Sequence, residues 1–189
     1  ITAVTIDNAG WMGLFASRVD ASITDLHITN TRTVGDMDDT QCTTVGSNSG
    51  VAISNSVVDW VGGTIRDNDG YGLSGVSTTM TVSSLTVGGN TCAGIMNFDG
   101  TASIDDSDFS AAGGTVLAAN VIGYSADGTS VTNSRFTDTA FIGESDRTVM
   151  DYGSAVYEYV YYDRVGTDVQ FFFSGDNRIE NNAFINGAQ

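Results

Sequence analysis

Three runs in this chain gather the residues that could do chemistry, and all three are rich in carboxylates. GDMDDTQ at residues 35–41 places Asp36, Asp38 and Asp39 together, and RDNDG at residues 66–70 offers Asp67, Asn68 and Asp69 before Gly70. Calcium takes about six to eight oxygen ligands, and a surface loop in a calcium-rich medium can supply several of them. Asp36, Asp38 and Asp39 are thus the candidate calcium ligands, although neither run has the distal Glu of an EF-hand. IDDSDF at residues 104–109 adds Asp105, Asp106 and Asp108, a pattern that polar turn residues at strand ends explain equally well. His27 alternates with Leu26 and Ile28, which puts its ring on the outer face of a strand, without Ser, Cys or metal partners for catalysis. No catalytic set is expected, and calcium is the one cofactor candidate.

Cys42 and Cys92 are the two cysteines. In a secreted chain they pair as a disulfide. The alternatives are two small buried hydrophobes, or an exposed thiol that pairs between molecules. With His27 distant in sequence, they make no zinc set. The formal net charge is −16, and all seven basic residues are arginine. Such a surface repels nucleic acid and anionic membranes, which leaves cations, neutral sugars and other proteins as partners. The chain has no apolar run of 18 residues, so no membrane-spanning helix is expected. It shows no basic-then-apolar leader, and its start at Ile1 suggests a processed or excised segment. No N-x-S/T sequon occurs; NTC at residues 90–92 is a rare variant, and O-linked sugars on Ser or Thr stay open.

The elements that must position these residues come from a repeat. With 23 Gly, abundant Ser and Thr and no Pro in 189 residues, the composition favours strands and turns over helices. Ile6, Ile28, Ile65, Val87, Phe109, Phe136, Tyr161 and Phe184 form one apolar column, at spacings of 22, 37, 22, 22, 27, 25 and 23. Five residues before each stand Ile1, Ile23, Trp60, Val82, Ile104, Val131, Val156 and Ile179. Two residues after the anchors come Asn8, Asn30, Asp67 and Gly89, then Ala111, Asp138, Asp163 and Asn186, mostly types that accept a left-handed turn. Eight residues after come Leu14, Leu73, Ile95, Leu117 and Val169, with Asp36 and Glu144 as exceptions.

A unit of about 22 residues with short β-type runs cannot bury its own apolar face, but it can do so stacked on its neighbours. In TVSSLTV, Leu85 and Val87 share parity and point inward, whereas Val82 has the opposite parity, so a bend must separate them. The expected fold is all-β: a single domain over 1–189, a parallel solenoid of about eight coils. Coils pairing at about 4.8 Å per step would make a rod of roughly 38 Å. The 37-residue interval requires an insertion, expected as a projecting loop at about 35–50. In YEYVYYDRVGTDVQFFF, alternate residues must face outward, so Tyr157, Tyr159, Tyr162 and Phe172 are the candidate exposed aromatics.

SITDLHITN, GGTIRDNDGYGLSG, TVSSLTVGGNTCAGI, SVTNSRFTD and RIENNAFING together resemble the right-handed parallel β-helix, or pectin-lyase-like, superfamily, over nearly the whole chain. That resemblance speaks to fold more than function. It implies a polysaccharide lyase or hydrolase as the enzymatic alternative. In the lyases an Arg or Lys abstracts a proton while clustered Asp hold calcium; here Lys is absent, and Arg66 with Asp67 and Asp69 is the best imitation. The Gly-His-Gly of the hydrolases does not occur. Thr5, Thr29, Thr64 and Thr86 flank the anchors as an outward polar ladder, interrupted by Asp108, Arg135, Tyr162 and Ala183.

Solenoids usually blunt their ends with a cap, because an open coil exposes apolar surface and strand edges. This sequence runs in register from Ile1, Val4 and Ile6 to Ile179 and Phe184 with no capping helix. It is cut from a longer solenoid, stacks end to end on copies of itself, or is capped by other chains. The chain also loosely resembles the Gly/Thr/Asp-rich solenoids of extracellular filaments and appendages such as flagellar hairs (mastigonemes). The expected function is a structural module of an extracellular filament, fibre or surface layer. Its partners would be copies of itself or other filament subunits, with glycans as a further candidate. The alternative is a carbohydrate-active or glycan-binding β-helix using residues 157–173 and the loop at 35–50.

Overall fold

β-branched and aromatic residues at alternating positions, interrupted every few residues by Gly, Asn, Asp or Ser, give short strands. The computed structural model describes residues 1–32, 49–110, 119–124, 128–137, 140–142, 156–159, 171–174, 178–180 and 183–185; among these there are strands and no helix. The strands are β1 (Thr2–Asp7), β2 (Met12–Ser17), β3 (Asp20–Thr29), β4 (Ser49–Ser54), β5 (Val57–Arg66), β6 (Tyr71–Val76), β7 (Thr79–Ser83), β8 (Thr86–Gly88), β9 (Ala93–Phe98) and β10 (Thr101–Asp105). They continue as β11 (Asp108–Ser110), β12 (Ala119–Tyr124), β13 (Gly128–Thr132), β14 (Arg135–Thr137), β15 (Ala140–Ile142), β16 (Val156–Tyr159), β17 (Phe171–Ser174), β18 (Arg178–Glu180) and β19 (Ala183–Ile185).

Every strand pairing among the described residues is parallel. β2, β4, β6, β9, β12 and β16 lie side by side in a six-stranded sheet, and β15 pairs with β19. The eleven-stranded sheet has two courses, β1-β3-β5-β7-β10-β13-β17 and β5-β8-β11-β14-β18. The long strands β3 and β5 run through both courses. Further along the chain the courses separate at a left-handed residue: Ser84 (φ 54°), Asp106 (φ 45°) and Asn133 (φ 50°). Asp25 and Gly62 take the same backbone at the equivalent points of β3 and β5. The bend expected between Val82 and Leu85 is therefore present. Asn8, Asn30, Asp67 and Gly89, expected at left-handed turns, have φ of 56°, 56°, 56° and 63°.

Register follows the first two apolar columns as far as Val131 and Phe136. Ile23, Trp60, Val82, Ile104 and Val131 stand beside one another in succession, as do Ile6, Ile28, Ile65, Val87, Phe109 and Phe136. Beyond that point the expected columns fail. Phe173, not Val156, pairs with Val131, and Ile179, not Tyr161, pairs with Phe136. Val156 instead extends the six-stranded sheet beside Val121, and Phe184 pairs with Phe141. The physical reason is degeneracy: the aromatic-rich stretch offers many apolar residues of either parity, so spacing alone does not choose among them. Val51 and Val121 also replace Asp36 and Leu117 in the third column, which runs Leu14, Val51, Leu73, Ile95, Val121. Counting across the insertion from its N-terminal side produced the first of those errors. Ser49 and Gly50, expected in the projecting loop, open β4.

The core is the meeting of these columns: Ile23, Leu26, Ile28, Val51, Trp60, Ile65, Leu73, Val82, Leu85, Val87, Ile95, Ile104 and Phe109 are all buried. Each fully buried aliphatic side chain contributes about 1.5–3 kcal/mol relative to exposure. β7 and β10 alternate exposed and buried, as one-sided strands do, whereas β4, β6 and β9 are buried along both faces.

Candidate functional site

Three residues after Ile65 and Val87 stand Asn68 and Asn90, and both turn inward at the corner before the six-stranded sheet. Asn68 Nδ2 donates to Asn90 Oδ1 at 2.8 Å, and the Asn68 backbone N–H reaches the same oxygen at 3.3 Å. Asn68 Oδ1 accepts the Thr31 N–H at 3.0 Å, while Asn90 Nδ2 donates to the Ile65 carbonyl at 3.2 Å. The column so formed satisfies backbone groups that the corner takes out of the strand ladder. Glycines make the room: a Cβ on Gly50 would sit 2.8 Å from Asn68 Nδ2, and one on Gly72 2.7 Å from Asn90 Nδ2. The spacing of 22 between these asparagines was visible in the sequence, where Asn68 was offered with Asp67 and Asp69 either as a calcium-binding run or as an ordinary hydrophilic turn. Asn68 is buried, and its amide is taken up by Asn90 and Thr31. Its neighbours in RDNDG diverge, since Asp69 Oδ1 pairs with Arg32 Nη1 at 3.1 Å and Asp67 lies over Gly89. Among the described residues no group of three or more His, Cys, Asp or Glu is placed to hold a metal ion.

A hydroxyl column does the same at the second corner. Ser107 Oγ accepts the Leu85 N–H at 3.2 Å, and Ser134 Oγ accepts the Ser107 N–H at 3.2 Å. Each hydroxyl donates back to the carbonyl two residues earlier, Asp105 and Thr132 respectively. At the third corner Ser56 Oγ accepts the Val19 N–H and donates to the Ser54 carbonyl.

The carboxylates of IDDSDF spread along the surface. Asp105 Oδ1 accepts from Thr132 Oγ1 at 2.6 Å and Asn133 Nδ2 at 2.8 Å. Those two donors, Thr132 first, hold its carboxyl below the ordinary carboxylate range. Asp106 Oδ2 accepts from Ser84 Oγ at 3.0 Å, and Asp108 faces outward beside Thr86 and Arg135. Asp7 repeats the Asp105 arrangement: Asn30 Nδ2 and Thr29 Oγ1 both donate at 2.8 Å and hold its carboxyl below the usual range.

Arg66 stands beside Thr29 and Gly88, and its Nε has no hydrogen-bond partner. Asp69 pairs with Arg32, while Arg66, which the lyase resemblance set beside Asp67 and Asp69, has Thr29 and Gly88 as its strand neighbours. His27 lies on the outer face next to Thr5 and Thr64, with Asp25 Oδ1 2.9 Å from its Nε2. Thr29 belongs to the next column, with Arg66, so the threonine ladder is broken by His27 itself. Asp36, Asp38, Asp39, Cys42 and Tyr162 lie outside the described residues. Tyr157 and Tyr159 lie in β16, Phe172 in β17, Ile179 in β18 and Phe184 in β19, where the backbone alone is described. Cys92 is buried just before β9.

Exposed large apolar side chains lie both near β1 and β2 (Ile1, Val4, Trp11, Phe15) and on the outer face of β5 (Val57, Val61), with Val19 just before β3. Ile1, Trp11 and Phe15 are more than half exposed, and Val4 is 37 % exposed where Leu26, next in its column, is 0 %. Among the described residues β1 pairs with β3 and β2 with β4. A shallow, open groove follows the corners before β3, β5 and β7, lined by Arg18, Asn55, Ser77 and Thr79. No protein family, curated protein or solved structure matches this chain.

Proposed function

We propose that the chain is a right-handed parallel β-helix serving as a structural module of an extracellular filament, fibre or surface layer, built by end-to-end stacking of its coils. The observation that carries this reading is the direction of the polar side chains. Asn68 to Asn90, Ser84 to Asp106 and Ser77 to Asp99 are each bonded across an interval of 22 residues, so each unit is chemically fitted to the next. A stack of that kind grows by adding units to its free strand edges, and head-to-tail addition yields an open filament unless rotation closes it. Val4, Ile6 and Leu14 on β1 and β2 belong to the apolar columns that such a stack would continue. The strong negative charge suits a solvated, secreted surface. Calcium at Asp36, Asp38 and Asp39, and glycans as partners, remain part of this proposal rather than its support.

The test is the assembly state of the natively isolated protein, by negative-stain microscopy and sedimentation. Elongated particles that shorten when Val4→Asp places a charge on the β1 edge support the reading. A monomer that cleaves or binds an acidic polysaccharide overturns it in favour of the carbohydrate-active alternative.

A further inference from the structure

We infer that Trp11, with the polar edge formed by Arg32, Asp69 and Thr91, is a binding site for a neutral, β-linked polysaccharide. Trp11 stands at φ 74°, and the Met12 N–H closes over it onto the Gly10 carbonyl at 3.0 Å. A γ-turn of this left-handed kind is rare and strained for a bulky residue. Glycine suits such backbone, and Gly70 holds the equivalent place two coils on, at φ 139°. Met12, Ser49 and Tyr71 stand side by side, with Trp11 just before the first and Gly70 just before the last. Core packing does not explain the tryptophan, since it is 56 % exposed and the other one, Trp60, fills the core. The strain is held in place from the next coil: the Trp11 N–H donates to the Arg32 carbonyl at 2.7 Å, and the Arg32 N–H to the Ala9 carbonyl at 2.8 Å. Backbone kept under strain to present a side chain to solvent is a mark of a functional position.

The groups beside the indole have the chemistry of sugar recognition. Gly10 pairs with Arg32, and the Asp69 and Thr91 N–H groups donate to the Thr31 and Asn68 carbonyls. Arg32, Asp69 and Thr91 therefore follow one another across the coils, two steps or roughly 10 Å in all. Arg32 Nη1 lies 3.1 Å from Asp69 Oδ1, and both side chains reach solvent. An indole face packs against the C–H face of a hexose ring, while the flanking side chains donate to and accept from its hydroxyls. The ligand is neutral because a chain of net charge −16 repels a polyanion. It is a glycan rather than a protein because the residues that continue the site from Trp11 are polar tips, not an apolar patch. The site gives the glycan partnership proposed above a place; it rests on that partnership and not on end-to-end stacking.

Titration of the full chain with cellulose-, laminarin- and chitin-derived oligosaccharides, followed by tryptophan fluorescence, tests it. Trp11 is exposed and Trp60 buried, so binding is expected to shift or quench the solvent-exposed component alone. Trp11→Gly removes the stacking face and relaxes the turn. It is expected to weaken binding by about tenfold or more while keeping Tm within about 4 °C of wild type. Asp69→Asn is expected to weaken binding less and to retain the fluorescence response. No response to any of the three sugars, or tighter binding of a pectin-derived acidic oligosaccharide, would overturn the inference. So would unchanged affinity in Trp11→Gly, whose altered sedimentation would instead mark Trp11 as a protein contact. Sugar binding is read in solution and stacking on particle length, so the two fail separately.

Discussion

Asn68 donates from its side-chain amide to the Asn90 side-chain oxygen across 2.8 Å, and both residues are shut off from solvent. A buried amide costs free energy unless all its groups are bonded. Here Thr31, Asn68, Asn90 and the Ile65 carbonyl close a chain of bonds between successive units. The column therefore fixes register as well as stability, because a shift by one residue would strand several buried donors together.

Asn90→Leu keeps the approximate volume and removes the acceptor of both Asn68 donors. The expected cost is roughly 2–6 kcal/mol, from two buried groups at about 1–3 kcal/mol each. Changing Asn68 and Asn90 to Leu together is expected to cost less than the sum of the single changes, as partners in one network do. Denaturant titration of the three variants measures this; strict additivity would show that the column is not coupled.

How much of this was readable in advance depends on the residue. Asn8, Asn30, Asp67 and Gly89 announced their turns because left-handed backbone restricts residue type strongly. Val82 against Leu85 announced its bend through parity alone. Val51 was missed because an insertion of unknown placement breaks any count carried across it. The partners of Val131 and Phe136 were misassigned because a stretch dense in Tyr and Phe satisfies an apolar column in several registers. Asn68 stayed ambiguous for a different reason: a polar residue in a turn points inward or outward with the same sequence signature. Only the missing Cβ of Gly50 and Gly72 makes room for the inward choice. Arg32, which takes the Asp69 carboxylate, is 37 residues away, beyond any local pattern.

Gly72 and Gly62 separate crowding from conformation. A Cβ on Gly72 would lie 2.5 Å from the Gly94 carbonyl and 2.7 Å from Asn90 Nδ2, while one on Gly62 meets nothing within 4 Å but must sit at φ +70°. Gly62→Ala is expected to cost about 1–2 kcal/mol, the left-handed penalty alone. Gly72→Ala is expected to cost about 1–3 kcal/mol or more from overpacking, and to perturb the Asn90 side-chain amide resonances. Equal losses with unshifted Asn90 signals would contradict the crowding argument.

Trp60 fills the centre of the core and donates from Nε1 to the Gly62 carbonyl at 2.8 Å. Trp60→Ala is expected to cost about 3–5 kcal/mol. Trp60→Phe keeps most of the apolar volume but leaves that carbonyl without its donor, and is expected to fall well short of the alanine loss. Thermal melts of the two variants give the ratio; a phenylalanine variant as unstable as the alanine one would place the hydrogen bond above the packing.

Asp7 and Asp105 each hold a carboxylate between two donors from the next unit, and both titrate below the ordinary range, Asp7 chiefly through Asn30 and Asp105 chiefly through Thr132. A group whose folded pKa is depressed adds stability that is fully present above its unfolded pKa of about 4 and is lost as pH falls through the folded value. The whole chain complicates this, because protonating its many other carboxylates relieves self-repulsion and works in the opposite direction. The difference between wild type and Asp105→Asn isolates the site, since asparagine has no charge to lose while keeping an acceptor oxygen. Wild type is expected to be the more stable at neutral pH, with the gap constant down to about pH 5 and closing below about pH 4. Urea midpoints of both proteins across pH 2–7 measure it. A gap that persists unchanged at the acid end would mean that Thr132 and Asn133 do not favour the ionised form of Asp105.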